Sequence, residues 1–333
     1  MKEALYYKKI RNNVQCMLCP RNCSIKESQV GFCGVRKNIS SKLYSLVYAK
    51  PVSVGIDPIE KKPLYHFLPG TESFSIGTVG CNLRCKHCQN WQISQAKPGQ
   101  YKTQELEPEE VVEEAIKNNC KSISYTYNEP AVFYEYALDT AKIARKKGIR
   151  NVIVSNGFIN EEPLLEWCRY MDAANIDLKG SDSFYRKITT AWLEPVQTTL
   201  KILKEKKVWF EITNLIIPTL NDNPKEIEEM CRWIKQNLGI GYPLHFTGFY
   251  PCYQLSGLPP TPAGSLLKAK AIAEKIGINY VYNGNVSTSS GSNTFCPKCR
   301  EMLVERSYFS VCENRIKNGK CPFCGELIPG VWK

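Results

Sequence analysis

The stretch 76–91, IGTVGCNLRCKHCQNW, places Cys81, Cys85 and Cys88 at the spacing CxxxCxxC. It continues an alternating run, SFSIG at 73–77, that reads as a β-strand. Three thiolates this close can hold three irons of a cubane iron–sulfur cluster. No fourth cysteine follows at ferredoxin spacing, so one iron is left open for a small chelating ligand.

Working outward, residues 73–287 alternate short apolar runs with amphipathic segments. Strands are expected at 73–78, 121–127, 151–155, 173–178, 208–217 and 244–250, with a further run at 279–282. Between them, Pro108 opens a helix whose apolar stripe is Val111, Val112, Ala115 and Ile116. Further helices are expected over 131–147, 162–171, 183–206, 224–238 and 262–276, with Gly148, Gly239 and Gly277 as C-caps. About six consecutive βα units imply a parallel sheet with right-handed crossovers. The expected fold class is α/β, a partial (β/α)6 TIM-like barrel with small Cys-rich modules at both ends. The expected division is a Cys-rich module and lead-in over 1–72, the barrel over 73–287 and a second module over 288–333. Chemistry in such a barrel lies at the C-terminal ends of the strands, where the triplet falls.

The flanking cysteines form two further sets. CPKC (296–299) and CPFCGE (321–326) are two knuckles that bring Cys296, Cys299, Cys321 and Cys324 into a tetrahedral S4 site. Zinc is expected there, with a redox iron site as the alternative, and Cys312 as a spare thiol. Near the N-terminus, CMLCPRNCSIKESQVGFCGVR (16–36) carries Cys16, Cys19, Cys23 and Cys33. Zinc and an auxiliary iron–sulfur cluster fit this set equally. An auxiliary cluster would relay electrons or bind substrate.

The 333 residues are 43% hydrophobic and 23% charged, ordinary for a globular protein. No apolar run reaches the length needed to span a bilayer, and the first residues lack an apolar secretory core. Sixteen cysteines in a chain read as unsecreted point to metal ligation in a cytoplasmic protein, not to disulfides. A net charge of +12 fits Lys-rich solvated helices, and also an acidic partner such as RNA or a nucleotide.

The triplet, with KPVSVGIDPIEKKPLYHFLPG (50–70), TYNEP (126–130), SNGFI (155–159), NIDLKG (175–180) and LIIPTLND (215–222), resembles the radical S-adenosylmethionine (SAM) superfamily. The resemblance is to the branch of the pyruvate formate-lyase-activating enzymes. Over nearly its full length the chain resembles the AmmeMemoRadiSam radical SAM family. That resemblance implies a [4Fe–4S] cluster whose open iron binds the amino and carboxylate groups of SAM. It implies reductive cleavage of SAM to a 5′-deoxyadenosyl radical and a reductant of ferredoxin or flavodoxin type.

The resemblance also implies site residues. Asn128 and Glu129 stand where relatives contact the SAM amino group, with Tyr127-Asn128 replacing two glycines. Ser155 and Asn156 match an activase Thr-Asn-Gly motif, with Val154 in place of its Asp. Asp177 suits the ribose hydroxyls and Lys179 the methionine carboxylate. His87 stands at a usually aromatic position that packs on the adenine. His245 and Cys252 lie on or just after the sixth strand, in a rim that departs from relatives; they are the catalytic candidates, against structural roles for both. The expected function is hydrogen abstraction from a substrate, as in an activase that installs a glycyl radical on a partner protein. The alternatives are modification of RNA or a nucleotide, and a non-enzymatic zinc-organised nucleic-acid-binding scaffold.

Overall fold

A computed structural model describes residues 1–11, 13–103, 105–285 and 291–333. Its centre is an eight-stranded sheet whose strands lie side by side in chain order. They are β1 (Ser53–Pro58), β2 (Glu72–Gly77), β3 (Ser122–Tyr125), β4 (Arg150–Ser155), β5 (Ala173–Asp177), β6 (Trp209–Ile216), β7 (Leu244–Gly248) and β8 (Val281–Gly284). Strands β2 to β8 run parallel, and β1 runs antiparallel to β2. Among the described residues β1 does not pair with β8, so the barrel is open.

The sequence-based boundaries shift in two places. Strand β1 lies inside the stretch assigned to the lead-in. Its apolar residues Val54 and Ile56 face solvent (51% and 44% exposed) while Asp57 faces inward, the reverse of a core pattern. The expected helix over 183–206 is broken into a short turn, Asp182–Phe184, a π-turn, Tyr185–Thr189, and a helix, Glu194–Glu205. Thr190 has φ 62° and Pro195 opens the new helix, so the first turn cannot continue into the second. The boundary expected at 287/288 lies outside the described residues.

The helices that cover the sheet are α1 (Pro108–Lys117), α2 (Tyr134–Lys146), α3 (Glu161–Trp167), α4 (Glu194–Glu205), α5 (Pro224–Asn237) and α6 (Ala263–Ile276). Helix α1 begins with a capping box between Glu107 and Glu110 and buries Val111, Val112 and Ala115. Ile116, expected on that stripe, is 44% exposed.

The two faces of the sheet differ. Outward residues such as Ile76, Ile123, Ile153, Ile176 and Phe210 join the core beneath the helices. Inward residues include Ser73, Ser75, Ser122, Ser124, Asn175 and Glu211, all buried. At the N-terminal ends of the strands this polar interior is plugged. Ile59, Leu64 and Phe67, from the stretch between β1 and β2, pack on Val152, Ala173 and Trp209.

The C-terminal residues form a three-stranded sheet, Thr294–Phe295, Met302–Ser307 and Ser310–Asn314, and join this plugged end. Arg306 donates to the Tyr65 carbonyl at 2.6 Å, and Val331 N donates to the His66 carbonyl at 2.7 Å. The N-terminal residues instead form two small sheets that join the opposite end. There Asn160, just before α3, bonds Met17 and Leu18, and Arg36 forms a two-pronged buried bridge to Glu135 of α2 at 2.8 and 3.0 Å.

Candidate active site

The triplet loop leaves β2 through Gly77 and Gly80. Gly80 has φ +90°, and a Cβ there would lie 2.7 Å from the Cys33 carbonyl oxygen, so no larger residue fits. Three neighbouring segments hold the loop. Asn128, after β3, accepts from Thr78 N at 3.1 Å and donates to the Gly80 carbonyl at 2.8 Å. The π-turn after β5 accepts from Arg84 N and Lys86 N at 3.0 Å each. The segment after β7 places Gln254 N on the Lys86 carbonyl at 3.0 Å and stacks Tyr253 on Trp91.

Around the sulfurs, Leu83 N lies 3.4 Å from Cys81 Sγ, and Ser94 Oγ lies 3.6 Å from Cys88 Sγ. Burial pushes the Cys85 thiol up to about 12, countered by the nearby Lys179 ammonium. Buried thiolates need a cation close by, which is what the irons of a cluster supply. Among the described residues, one set of metal-ligating atoms lies mutually within 4.8 Å, and it is the C-terminal tetrad, not the triplet. The triplet sulfurs are therefore set wider than ligands of a single ion, which fits a polynuclear group.

Glu129, after β3, is the best-defined polar partner of this loop region. Oε1 accepts from Ser155 Oγ at 2.8 Å and Ala131 N at 3.0 Å, and Oε2 accepts from Asn156 N at 2.8 Å. All three donors are uncharged, and burial pushes its carboxyl up to about 7. A buried carboxylate served only by neutral donors suits an ammonium ligand. Asn156 in turn donates to Asn82 Oδ1 at 2.9 Å, beside Cys81.

At the end of β5, Lys179 Nζ donates to Asp177 Oδ2 at 2.7 Å. Burial would depress Lys179, but Asp177 and the Cys85 sulfur hold it well above the usual range. Tyr185 fixes this turn, accepting from Lys179 N and donating to the Asp177 carbonyl, both at 3.1 Å. His87 packs beside Phe184, with ring centroids 5.9 Å apart. Burial drives its pKa down to about 3, and its Nδ1 has no hydrogen-bond partner.

Of the two catalytic candidates, Cys252 is brought to the loop: its Sγ lies 3.3 Å from the His87 carbonyl oxygen. His245 is not at the mouth. Its Nε2 is bonded to buried Glu211 at 2.6 Å, and its ring packs on Tyr65 and Tyr282. Glu211 also accepts from the backbone of Tyr65 and His66, so this cluster belongs to the plug below the site. Asn82, Ser94 and Arg84 were not singled out from the sequence, although all lie in or beside the quoted stretch.

The C-terminal tetrad has paired sulfurs at 3.6 Å, Cys296 with Cys324 and Cys299 with Cys321. Four sulfurs at about 2.3 Å from one ion stand roughly 3.8 Å apart, so this set can hold a single metal ion. Cys16, Cys19, Cys23 and Cys33 instead line one shared pocket, together with Arg21, Arg36 and Asn82.

An open α/β barrel with three cysteines after the first parallel strand, and polar residues at the ends of the next three, defines an iron–sulfur, SAM-binding class of protein. Residues 75–234 match the family model described as the radical SAM superfamily. The chain is 47% identical over 331 residues to an uncharacterized protein of Methanocaldococcus jannaschii, covering 98% of this chain and 99% of that protein. It is 23% identical to a pyruvate formate-lyase-activating enzyme of Listeria monocytogenes, covering 53% of this chain and 77% of that enzyme. A radical SAM methyltransferase structure from Sphaerobacter thermophilus shares the fold with a TM-score of 0.52 at 14% identity, over 66% of this chain and 68% of that one. This chain belongs to the radical SAM superfamily, and that membership implies a [4Fe–4S] cluster and SAM. No helix among the described residues is long and apolar enough to cross a membrane.

Proposed function

We propose that this chain is an enzyme that uses a [4Fe–4S] cluster on Cys81, Cys85 and Cys88 to abstract hydrogen from a substrate carbon. The observation that carries the reading is the grouping of the triplet with Glu129 and the Asp177–Lys179 pair at one end of the barrel. When bound, the cluster and SAM supply a one-electron cleavage that yields a hydrogen-abstracting carbon radical.

The chain's own residues position and enclose. Glu129 accepts from the SAM ammonium, and Ser155 and the Asn156 amide hold its two oxygens apart. Lys179 donates to the methionine carboxylate, and Asp177 accepts from the ribose hydroxyls. His87, its imidazole neutral and backed by Phe184, packs against the adenine. Asn128 spends its side chain on the loop backbone, so its part is to hold the triplet in place. Cys252 closes the side of the loop and is a hydrogen-atom donor candidate, or a quiet packing residue.

Similarity to a pyruvate formate-lyase-activating enzyme favours an activase-like reaction on a partner protein. The net charge of +12 keeps RNA or a nucleotide as the alternative substrate class. Electrons come from a donor of ferredoxin or flavodoxin type. None of the sixteen cysteines is in a disulfide, which suits a reducing cytoplasm. The C-terminal tetrad carries zinc in a structural role, because it joins the plugged end of the barrel, where Arg306 and His66 tie it to the strands. The test is release of 5′-deoxyadenosine from SAM by anaerobic, dithionite-reduced protein. Cys88→Ala must abolish it.

A further inference from the structure

We propose that Cys16, Cys19, Cys23 and Cys33 hold a second, fully ligated iron–sulfur cluster that passes electrons to the cluster on Cys81, Cys85 and Cys88. The inference rests on the reading of that triplet as a cluster site.

Sulfur spacing separates the two chemistries in this chain. Ligands of one zinc ion stand about 3.8 Å apart. The C-terminal tetrad meets that spacing, with all four sulfurs mutually within 4.8 Å. Among the described residues no three of the N-terminal cysteines do, and neither do the triplet cysteines. The N-terminal four stand instead around one shared pocket. A polynuclear cluster spreads its ligands over separate irons, so its sulfurs need not meet the spacing of a single ion.

The lining suits an electron-rich, anionic group. Arg21 and Arg36 both line the pocket, with no carboxylate among the lining residues. Arg36 is 1% exposed; its two Nη atoms are bridged to Glu135, and its Nε has no hydrogen-bond partner. Guanidinium N–H groups are suited to the sulfurs of a cluster, and hydrogen bonds to those sulfurs are one of the controls on cluster potential.

The pocket is also joined to the triplet loop. Asn82, next to Cys81, lines it, and Arg21 Nε donates to the Asn82 carbonyl at 2.6 Å. Arg84 reaches from the triplet loop to the Phe32 carbonyl, and Gly80 packs on the Cys33 backbone. Four thiolates occupy all four irons of a cubane and leave none open for substrate. That assigns the group to electron transfer. A low-potential one-electron donor of the ferredoxin or flavodoxin class reduces it from the 2+ to the 1+ level. The electron then passes to the triplet-bound cluster and the first returns to 2+, with no bond made or broken.

The test is acid-labile sulfide, iron and zinc counted on anaerobically purified full-length protein. About eight sulfides and one zinc per chain are expected, from two cubanes and one S4 zinc site. About four sulfides, with or without a second zinc, overturns the proposal and leaves the triplet reading intact. In the double variant Cys19→Ser, Cys23→Ser, about half the sulfide is lost, and the remaining cluster signal still shifts on addition of SAM. Cleavage of SAM by this variant persists with dithionite and is lost with reduced flavodoxin. If flavodoxin-driven cleavage survives, the relay is overturned. If the variant does not fold, the sulfide count on the unaltered protein decides. Failure of dithionite-driven cleavage in that unaltered protein would instead count against the proposed function.

Discussion

Asn156 Nδ2 donates to Asn82 Oδ1 at 2.9 Å, and this bond joins the end of β4 to the residue that follows Cys81. Asn82 is 1% exposed and Asn156 7%, so neither can exchange its partner for water. Asn82 also donates to the Phe158 carbonyl at 2.7 Å. Replacing Asn82 by Ala strands buried donors and acceptors at about 1–3 kcal/mol each. The expected result is a lower thermal midpoint and a lower iron content, read by calorimetry and colorimetric iron assay. Asn82→Ala protein with unaltered iron and midpoint would show that this bond does not shape the loop.

Glu129 sets a pH dependence for SAM binding. Burial raises its carboxyl to about 7 in the ligand-free protein. An ammonium binds the ionised form, so below that pH a proton must leave before SAM can bind. Affinity should therefore rise with pH and level off above about 7, weakening up to about tenfold per pH unit below it. Glu129→Gln should remove this slope and weaken binding about 10- to 100-fold, the worth of a charge-assisted hydrogen bond. Titration calorimetry at several pH values measures both.

Glu211 and His245 carry a stability prediction instead. Burial pushes Glu211 up, but the bond from His245 and the amides of Tyr65 and His66 bring it below the ordinary 4.5. A carboxyl lowered by folding stabilises at pH values above its unfolded range. That contribution is lost as pH falls through the folded value. Glu211→Gln should cost about 3 kcal/mol at neutral pH, through the amides and imidazole it leaves poorly served. The deficit relative to the natural chain should shrink below about pH 4.5. Chemical denaturation across that range checks it.

Much of this arrangement was legible in the sequence, and the misses have physical causes. The parallel strands announced themselves through runs such as SISY and AANID, whose residues are buried on both faces. Strand β1 did not, because Val54 and Ile56 point outward and its inward residue, Asp57, is an acid held by Lys62 at 2.6 Å. Glu129, Asp177 and Lys179 were expected from the resemblance of TYNEP and NIDLKG, and the structure sets them at and just beyond the C-terminal ends of β3 and β5. His245 was misplaced to the mouth because a strand pattern does not say how far the strand's neighbours are staggered. Its partner Glu211 lies 34 residues upstream, on β6, and only the sheet register brings the two together. The bonds of Arg21, Arg36 and Arg84 between the N-terminal and barrel segments cross long separations and leave no local signal.

The C-terminal tetrad should matter for folding and not for chemistry. Cys299→Ser should release the bound metal and lower the thermal midpoint, because metal binding is folding free energy for so small a module. SAM cleavage per intact cluster should be unchanged at low temperature. Loss of cleavage in parallel with metal, in protein that remains folded by circular dichroism, would move this metal into the reaction.

The most direct measurement of the central claim is 5′-deoxyadenosine formed per chain under anaerobic conditions with SAM and dithionite, compared across the cysteine sets. Cys81→Ala, Cys85→Ala and Cys88→Ala should each give none above the protein-free control. Cys299→Ser and Cys252→Ala should still give it. Sustained formation by any of the three triplet variants, or none from the natural chain carrying its iron and sulfide, would contradict the assignment of the triplet as the radical-generating site.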